Sequence, residues 1–289
     1  RRSPRRGPTF SPAPVSGRRP VDCAPPNPHE PPVPEGDVVW RSGRRLHEAL
    51  SGRALQAADL RVPRHAQADL RGRTTTEVVA RGKHLLFRFD DGRTLHTHFE
   101  MDGRWDVQRP GERWRGPAHE VRAVLSTDRH VAVGFRLPVV DLIATRDEFR
   151  VVGHLGPDLL GADWDLDEAR RRLLEVPDRT IGEALLDQRI VAGIGTIYRA
   201  ETLFVCGVHP LTPVGDVTDL EGLLTTARRL LRRGADLGRP LSTGDRRRPV
   251  YAYGRSRQHC YRCGTTIAFA DIGVPPRGAY WCPTCQPRG

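Results

Sequence analysis

Four of the six cysteines stand in two Cys-x2-Cys pairs, Cys260/Cys263 and Cys282/Cys285, with 18 residues between them. No other feature constrains the chain so tightly. Two thiolate pairs at this separation suit two knuckles that close on one tetrahedral zinc ion. Four sulfur ligands leave no open coordination position, so such an ion shapes the fold and takes no part in chemistry. Gly264, directly after the first pair, supplies a tight turn that brings backbone amides towards the sulfurs. Two disulfides or free thiols are the alternative. Six cysteines in 289 residues are, however, too sparse for a disulfide scaffold. Between the pairs, Pro275-Pro276-Arg277-Gly278 sets a guanidinium fork at the tip of the hairpin, a geometry suited to a phosphate. Taken alone, Arg277 is one arginine among many.

Charge points the same way. Lys and Arg total 46 against 35 Asp and Glu, a net +11. That balance calls for a polyanionic partner, nucleic acid or an anionic membrane surface. No apolar run approaches the roughly 18 residues of a membrane helix. The cations are unevenly written: all but Lys83 are Arg. A lone surviving lysine marks a place where a compact ammonium cannot be exchanged for a planar guanidinium, or it is a plain surface charge. Met101 is likewise the single methionine.

The chain divides by texture. Residues 1–33 hold 10 of the 25 prolines, six arginines and two acids, too little apolar surface to offset chain entropy, and are expected to be a disordered extension. From Pro34 to about residue 155, Val39, Leu46 and Leu50 predict a leading helix stopped at Gly52, followed by alternating strands. Among these are 83–89, a turn at Asp91-Gly92, 94–99, Val121–Leu125, Val131–Phe135 and Val139–Ala144. Residues 156–249 turn helical, with capping-box spacings at Asp165/Glu168, Thr180/Glu183 and Thr218/Glu221, and C-terminal caps expected at Gly207 and Gly234. Residues 250–289 return to short strands around the four cysteines. The expected fold class is α+β: an antiparallel β-sandwich with a leading helix, a helical domain and a zinc-finger hairpin.

Three further stretches carry chemistry. In the run Leu185 to Tyr198, a capped helix enters Gly193-x-Gly195 and a new helix begins near Thr196; its free amides could meet a phosphate, or the glycines could serve an ordinary packing corner. Pro34-Glu35-Gly36-Asp37 reads as a helix start, with Pro in the first turn and acids at the positive end of the dipole. Arg81-Gly82-Lys83-His84 is the place of the lone lysine.

These features, in this order over about residues 34–286, resemble the formamidopyrimidine-DNA glycosylase and endonuclease VIII family, in its endonuclease VIII-like branch of actinobacterial type. Pro34-Glu35-Gly36-Asp37 is similar to the family's N-terminal motif, and Lys83 to its β-turn lysine. His98-x-x-Met101 falls on the segment of a phosphate-facing His and a wedge residue. Residues 185–198 resemble the helix–two-turn–helix signature, while Tyr253-Gly254-Arg255, the cysteines, Arg277 and Gln286 match the zinc-finger block. The resemblance implies a bacterial, cytoplasmic, nucleoid-associated monomer. Its partner would be double-stranded DNA containing oxidised bases or abasic sites. Pro34 would be the amine nucleophile, Glu35 the general acid and Lys83 a catalytic group by the phosphate. His98, Met101, Thr196, Arg255 and Arg277 would contact DNA, with Met101 filling the gap left by a flipped nucleotide. Cys260, Cys263, Cys282 and Cys285 would hold one structural zinc ion.

The sequence departs from that pattern in three places. Thr196 stands where the family usually has Asn. Pro138-Val139-Val140-Asp141 replaces the Arg and Phe wedges of the purine-specific enzymes, which favours oxidised pyrimidines, with a purine-preferring enzyme as the alternative. Pro34 is preceded by 33 residues, and an amide nitrogen cannot form a Schiff base. Since GUG, a valine codon, also starts translation in bacteria, Val33 is expected to be the true start and residues 1–32 a start-site overcall. A non-catalytic lesion binder or a zinc-ribbon RNA-binding protein would use fewer of these residues.

Overall fold

The structure, a computed structural model, describes residues 34–288. The expected extension at 1–33 lies outside the described residues.

The leading helix α1 (Gly36–Leu50) forms because Val39, Leu46 and Leu50 return every turn to one face, joined there by Gly43 and Ala49. That stripe closes one side of a sandwich. Its first sheet runs β1 (Arg53–Ala54), β3 (Thr74–Arg81), β4 (His84–Phe89), β5 (Arg93–His98) and β9 (Val139–Ala144) in spatial order. The second runs β2 (Ala57–Leu60), β7 (Val121–Ser126), β8 (Val131–Phe135) and β6 (Arg104–Gln108). Every pairing is antiparallel. Leu85, Phe87 and Leu95 of one sheet meet Trp105, Leu125 and Ala132 of the other beneath α1, and the Phe87 and Trp105 rings sit 5.0 Å apart. The expected strands are all present. The short β1 and β2 carry too little alternation to be read from sequence, whereas β6, Arg104-Trp105-Asp106-Val107-Gln108, alternates throughout and falls among the strands expected between Pro34 and residue 155.

After a one-turn helix α2 (Phe149–Val152) come α3 (Leu166–Leu174), α4 (Ile181–Ala184), α5 (Thr196–Cys206) and α6 (Leu220–Leu237). Asp165 caps α3 by accepting from the Glu168 amide at 3.0 Å, and Thr180 caps α4 through Glu183. The third cap differs from expectation by one residue. Asp219, not Thr218, accepts from Gly222 N at 2.7 Å, because the buried stripe of Leu220, Leu223, Leu224, Ala227 and Leu231 fixes the helix start at 220. The expected stop at Gly234 is also corrected: α6 runs on to Gly238, which takes φ +74° as its C-cap. Gly234 is needed inside the helix for a different reason. A Cβ there would overlap the Tyr198 hydroxyl and come within 2.9 Å of its Cζ. Gly207 does end α5, at φ +71°.

The chain finishes in a hairpin of β10 (Ala268–Ile272) and β11 (Arg277–Trp281), with Ile272 opposite Arg277. It packs on α5 through Phe204, Ala252, Ile267 and Tyr280. Among the described residues no helix is long and apolar enough to cross a membrane.

Candidate active site

The Pro34-Glu35 turn sits where α1 meets the N-terminus of α5. Glu35 is the N-cap residue of α1 yet makes no side-chain bond to that helix. Its carboxylate crosses instead to α5, accepting from Gly195 N at 2.9 Å, Ile197 N at 2.7 Å and Tyr198 N at 3.4 Å. The unpaired amides and positive dipole end of α5 thus close on a carboxylate, not on a capping side chain. Two glycines make this approach possible. A Cβ on Gly195 would stand 2.6 Å from Glu35 Oε1, and one on Gly36 would stand 2.7 Å from the Gly193 carbonyl oxygen, which accepts from Gly36 N at 2.8 Å. The turn between α4 and α5 is pinned by Gln188, whose amide accepts from Gly193 N at 2.9 Å and donates to Ile194 O at 3.0 Å.

Burial pushes the Glu35 carboxyl up to about 7, against the pull of the Lys83 charge and the α5 amides, while the neighbouring Asp37 charge pushes the same way as burial. Glu35 therefore holds a proton near neutrality, as a general acid must. Lys83 lies half-buried in the β3–β4 turn. Desolvation lowers its ammonium's pKa, opposed by the charge of Glu35. The turn is fastened by Asp158, 3% exposed, which accepts from Gly82 N at 2.6 Å and from Leu160 N at 2.9 Å. Arg81 adds a bridge to Asp163. From the other side, the exposed Arg277 at the hairpin tip contributes to the field at Lys83. Glu35, Lys83 and Arg277, remote in sequence, thus share one electrostatic site.

His98 ends β5 with its ring 4.6 Å from that of His84, and its Nδ1 accepts from Glu100 N at 3.0 Å. Met101 stands 54% exposed in the loop that follows. Thr196 opens α5, and its hydroxyl opposes the upward push that burial gives the Tyr253 phenol. Arg255 departs from the expected role. It is only 6% exposed, donates to the carbonyls of Tyr251 at 2.5 Å and His259 at 2.6 Å, and lies 3.4 Å over the Tyr261 ring. Its guanidinium is committed to the segment entering the finger, which leaves it turned inward.

The four cysteine sulfurs lie within 4.8 Å of one another, with Cys260 and Cys285 3.9 Å apart and Cys263 and Cys282 3.4 Å apart. A tetrahedron with metal–sulfur bonds of about 2.3 Å has edges of about 3.8 Å, so the donor set fits a closed four-thiolate site. The spacing does not correspond to disulfides. Gln286, fully buried, accepts from Cys282 N at 3.0 Å and donates to Val208 O at 2.8 Å, so the finger is tied to the end of α5. Glu201 fastens the approach to the finger, accepting from the amides of Tyr251, Ala252 and Tyr253 at 2.7, 2.8 and 2.9 Å. Neither Glu201 nor Asp158 stands out in the sequence. Both are ordinary acids in helical or loop text, and only the fold brings amides to them.

Two family models match the chain, the N-terminal domain of formamidopyrimidine-DNA glycosylase at residues 33–139 and that family's H2TH domain at 155–243. A probable endonuclease 8 2 of Streptomyces coelicolor is 51% identical over 259 residues, covering 88% of this chain and 94% of the relative. The chain belongs to the formamidopyrimidine-DNA glycosylase family. Endonuclease 8 2 of Mycobacterium tuberculosis is 43% identical, and the DNA-(apurinic or apyrimidinic site) lyase Nei2 of Mycolicibacterium smegmatis 40% identical; each alignment spans 88% of this chain and 99% or more of the relative. The fold matches the Lactococcus lactis formamidopyrimidine-DNA glycosylase solved with abasic-site DNA, at a TM-score of 0.75 and 22% identity over 88% of this chain and all of that one.

Proposed function

We propose that the chain is a DNA glycosylase for oxidised bases, pyrimidines favoured, that also cleaves abasic sites through Pro34. The observation that carries this reading is the buried Glu35 carboxyl, seated on the α5 amides directly beside Pro34 and facing Lys83. In the proposed sequence the Pro34 amine attacks the anomeric carbon of the damaged nucleotide, and the base departs with its bonding electrons and takes up the proton that the amine nitrogen gives up. Glu35 protonates the sugar-ring oxygen, opening the ring and leaving an iminium on Pro34. Loss of a C2′ proton then expels the 3′ phosphate, and a second elimination releases the 5′ phosphate. Water finally hydrolyses the iminium and frees the amine. Lys83 and Arg277 offset the phosphate charge that accumulates, and Met101 fills the space of the flipped nucleotide. His98 lies near the same phosphates. Zinc in the four cysteines would fix the hairpin that carries Arg277 and supply no other chemistry.

This chemistry requires Pro34 to head the active chain, since an acylated nitrogen has no lone pair to offer. The test is cleavage of an abasic-site duplex by chains that begin at Pro34, with and without an acetyl block. Cleavage abolished by the block supports the mechanism. Tight abasic-site binding without cleavage by either form would favour a non-catalytic lesion binder. Duplexes carrying thymine glycol or 8-oxoguanine then rank the lesions.

A further inference from the structure

Asp37 is a second acid beside the proposed catalytic one. It lies in the first turn of α1, 3% exposed, and the Tyr198 hydroxyl donates to its Oδ2 at 2.7 Å. Tyr198, 2% exposed, thereby holds both acids of the Pro34–Asp37 segment: its backbone amide reaches Glu35 and its phenol reaches Asp37. The phenol can take this position because α6 has glycine at 234, where a Cβ would overlap the hydroxyl and stand 3.0 Å from Asp37 Oδ2. Three helices therefore converge on one buried acid that the proposed reaction leaves idle.

We infer that Asp37, braced by Tyr198 and Gly234, is a positioning residue for Glu35: it fixes the Pro34-Glu35 turn on α5, and its negative charge keeps a proton on the Glu35 carboxyl. The inference rests on the proposed role of Glu35. Two carboxyls in one desolvated pocket do not both ionise readily. Their surroundings assign the charge between them. Burial pushes the Asp37 carboxyl up as well, opposed by the phenol, the first-turn amides of its own helix and the charge of Arg41. Glu35 faces Lys83 from the β3–β4 turn, Tyr198 and Arg199 from α5, and Tyr253 from the approach to the finger. Lys83 also feels Asp37, so one ammonium is shared by two acids. Glu35 accepts from the α5 amides too, yet burial still lifts its carboxyl to about 7, so Glu35 is the acid that carries the proton beside an Asp37 anion.

The test is a carbon-13 NMR titration of the Glu35 carboxyl in the wild-type protein and in Asp37→Asn and Tyr198→Phe, alongside pH profiles of abasic-duplex cleavage. Removing the Asp37 charge should lower the Glu35 midpoint by about one pH unit, as one neighbouring charge does. Tyr198→Phe keeps the ring and removes only the donor that steadies that charge, so it should lower the midpoint by a smaller step. The double variant should shift no further than Asp37→Asn, because the pair acts as a unit. In cleavage, the alkaline limb should move down by the same amount, with kcat about tenfold lower and KM within about twofold. A Glu35 midpoint that stays in place in both variants overturns the inference, even if their rates fall. Should the wild-type protein fail to cleave, the catalytic proposal fails while the titration still decides the role of Asp37.

Discussion

Replacing Gly195 with alanine tests the cradle around Glu35 without touching a reacting group. Gly195 has φ −133° and ψ −161°, extended backbone that alanine adopts freely, so the effect is steric alone. The new methyl would overlap the carboxyl carbon and stand 2.6 Å from Oε1, and restoring ordinary contact requires the carboxyl to retreat by roughly 1 Å. That retreat stretches the bonds from Gly195 N and Ile197 N, now 2.9 and 2.7 Å, beyond hydrogen-bonding distance. Overpacking of this kind costs about 1–3 kcal/mol, which at about 2–4 °C per kcal/mol for a chain of this size lowers Tm by roughly 2–12 °C. A misplacement approaching 1 Å costs about 100-fold in rate. Single-turnover cleavage of an abasic duplex, run well below the melting range, should therefore fall about 100-fold while the variant remains folded. A wild-type rate with a lowered Tm would refute the claim that the position of Glu35 matters. A wild-type Tm would refute the tightness of the cradle.

Three other outcomes follow from the same geometry. The folded protein keeps a proton on Glu35 up to about 7, whereas the unfolded chain releases it near 4.5, so raising the pH across that window favours unfolding by about 3 kcal/mol. Glu35→Gln should remove that slope in thermal melts between pH 5 and 8, and an unchanged slope would assign it to other groups. Gly234→Ala should destabilise by about 1–3 kcal/mol, and adding Tyr198→Phe should recover part of the loss by removing the overlapped hydroxyl; a double variant no better than the single would place the strain elsewhere. Cys263→Ser should lower the bound zinc measured by atomic emission and weaken binding to an abasic duplex, since Arg277 rides on the hairpin those sulfurs hold. Full DNA affinity in a zinc-free protein would detach the hairpin from binding.

Much of this site was legible in the sequence because its parts are local signals. The cysteine pairs, the lone Lys83 and the single Met101 are conspicuous in text, and strands such as Val131–Phe135 and Val139–Ala144 follow from short apolar runs rich in β-branched residues. What the text could not carry is long-range satisfaction of polar groups. Glu35 looks like a first-turn acid for its own helix, yet its partners are the amides of residues 195, 197 and 198. Gly234 looks like a helix stop, yet it is a seat for Tyr198 inside α6. Arg255 looks like one more cation for DNA, yet it is used up on backbone carbonyls. In each case residue type gives the chemistry available, and only the packing of α1, α5, α6 and the hairpin decides what it meets.

The central claim is that the Pro34 nitrogen forms the bond to DNA. Lys83, an amine with a lowered pKa in the same site, is the one other plausible donor among the residues described here. Borohydride reduction of the protein caught on an abasic-site duplex, followed by proteolysis and tandem mass spectrometry of the cross-linked peptide, separates the two. The deoxyribose remnant should be found on the nitrogen of an N-terminal Pro34. A remnant on Lys83, or no covalent adduct from a chain that begins at Pro34, would contradict it.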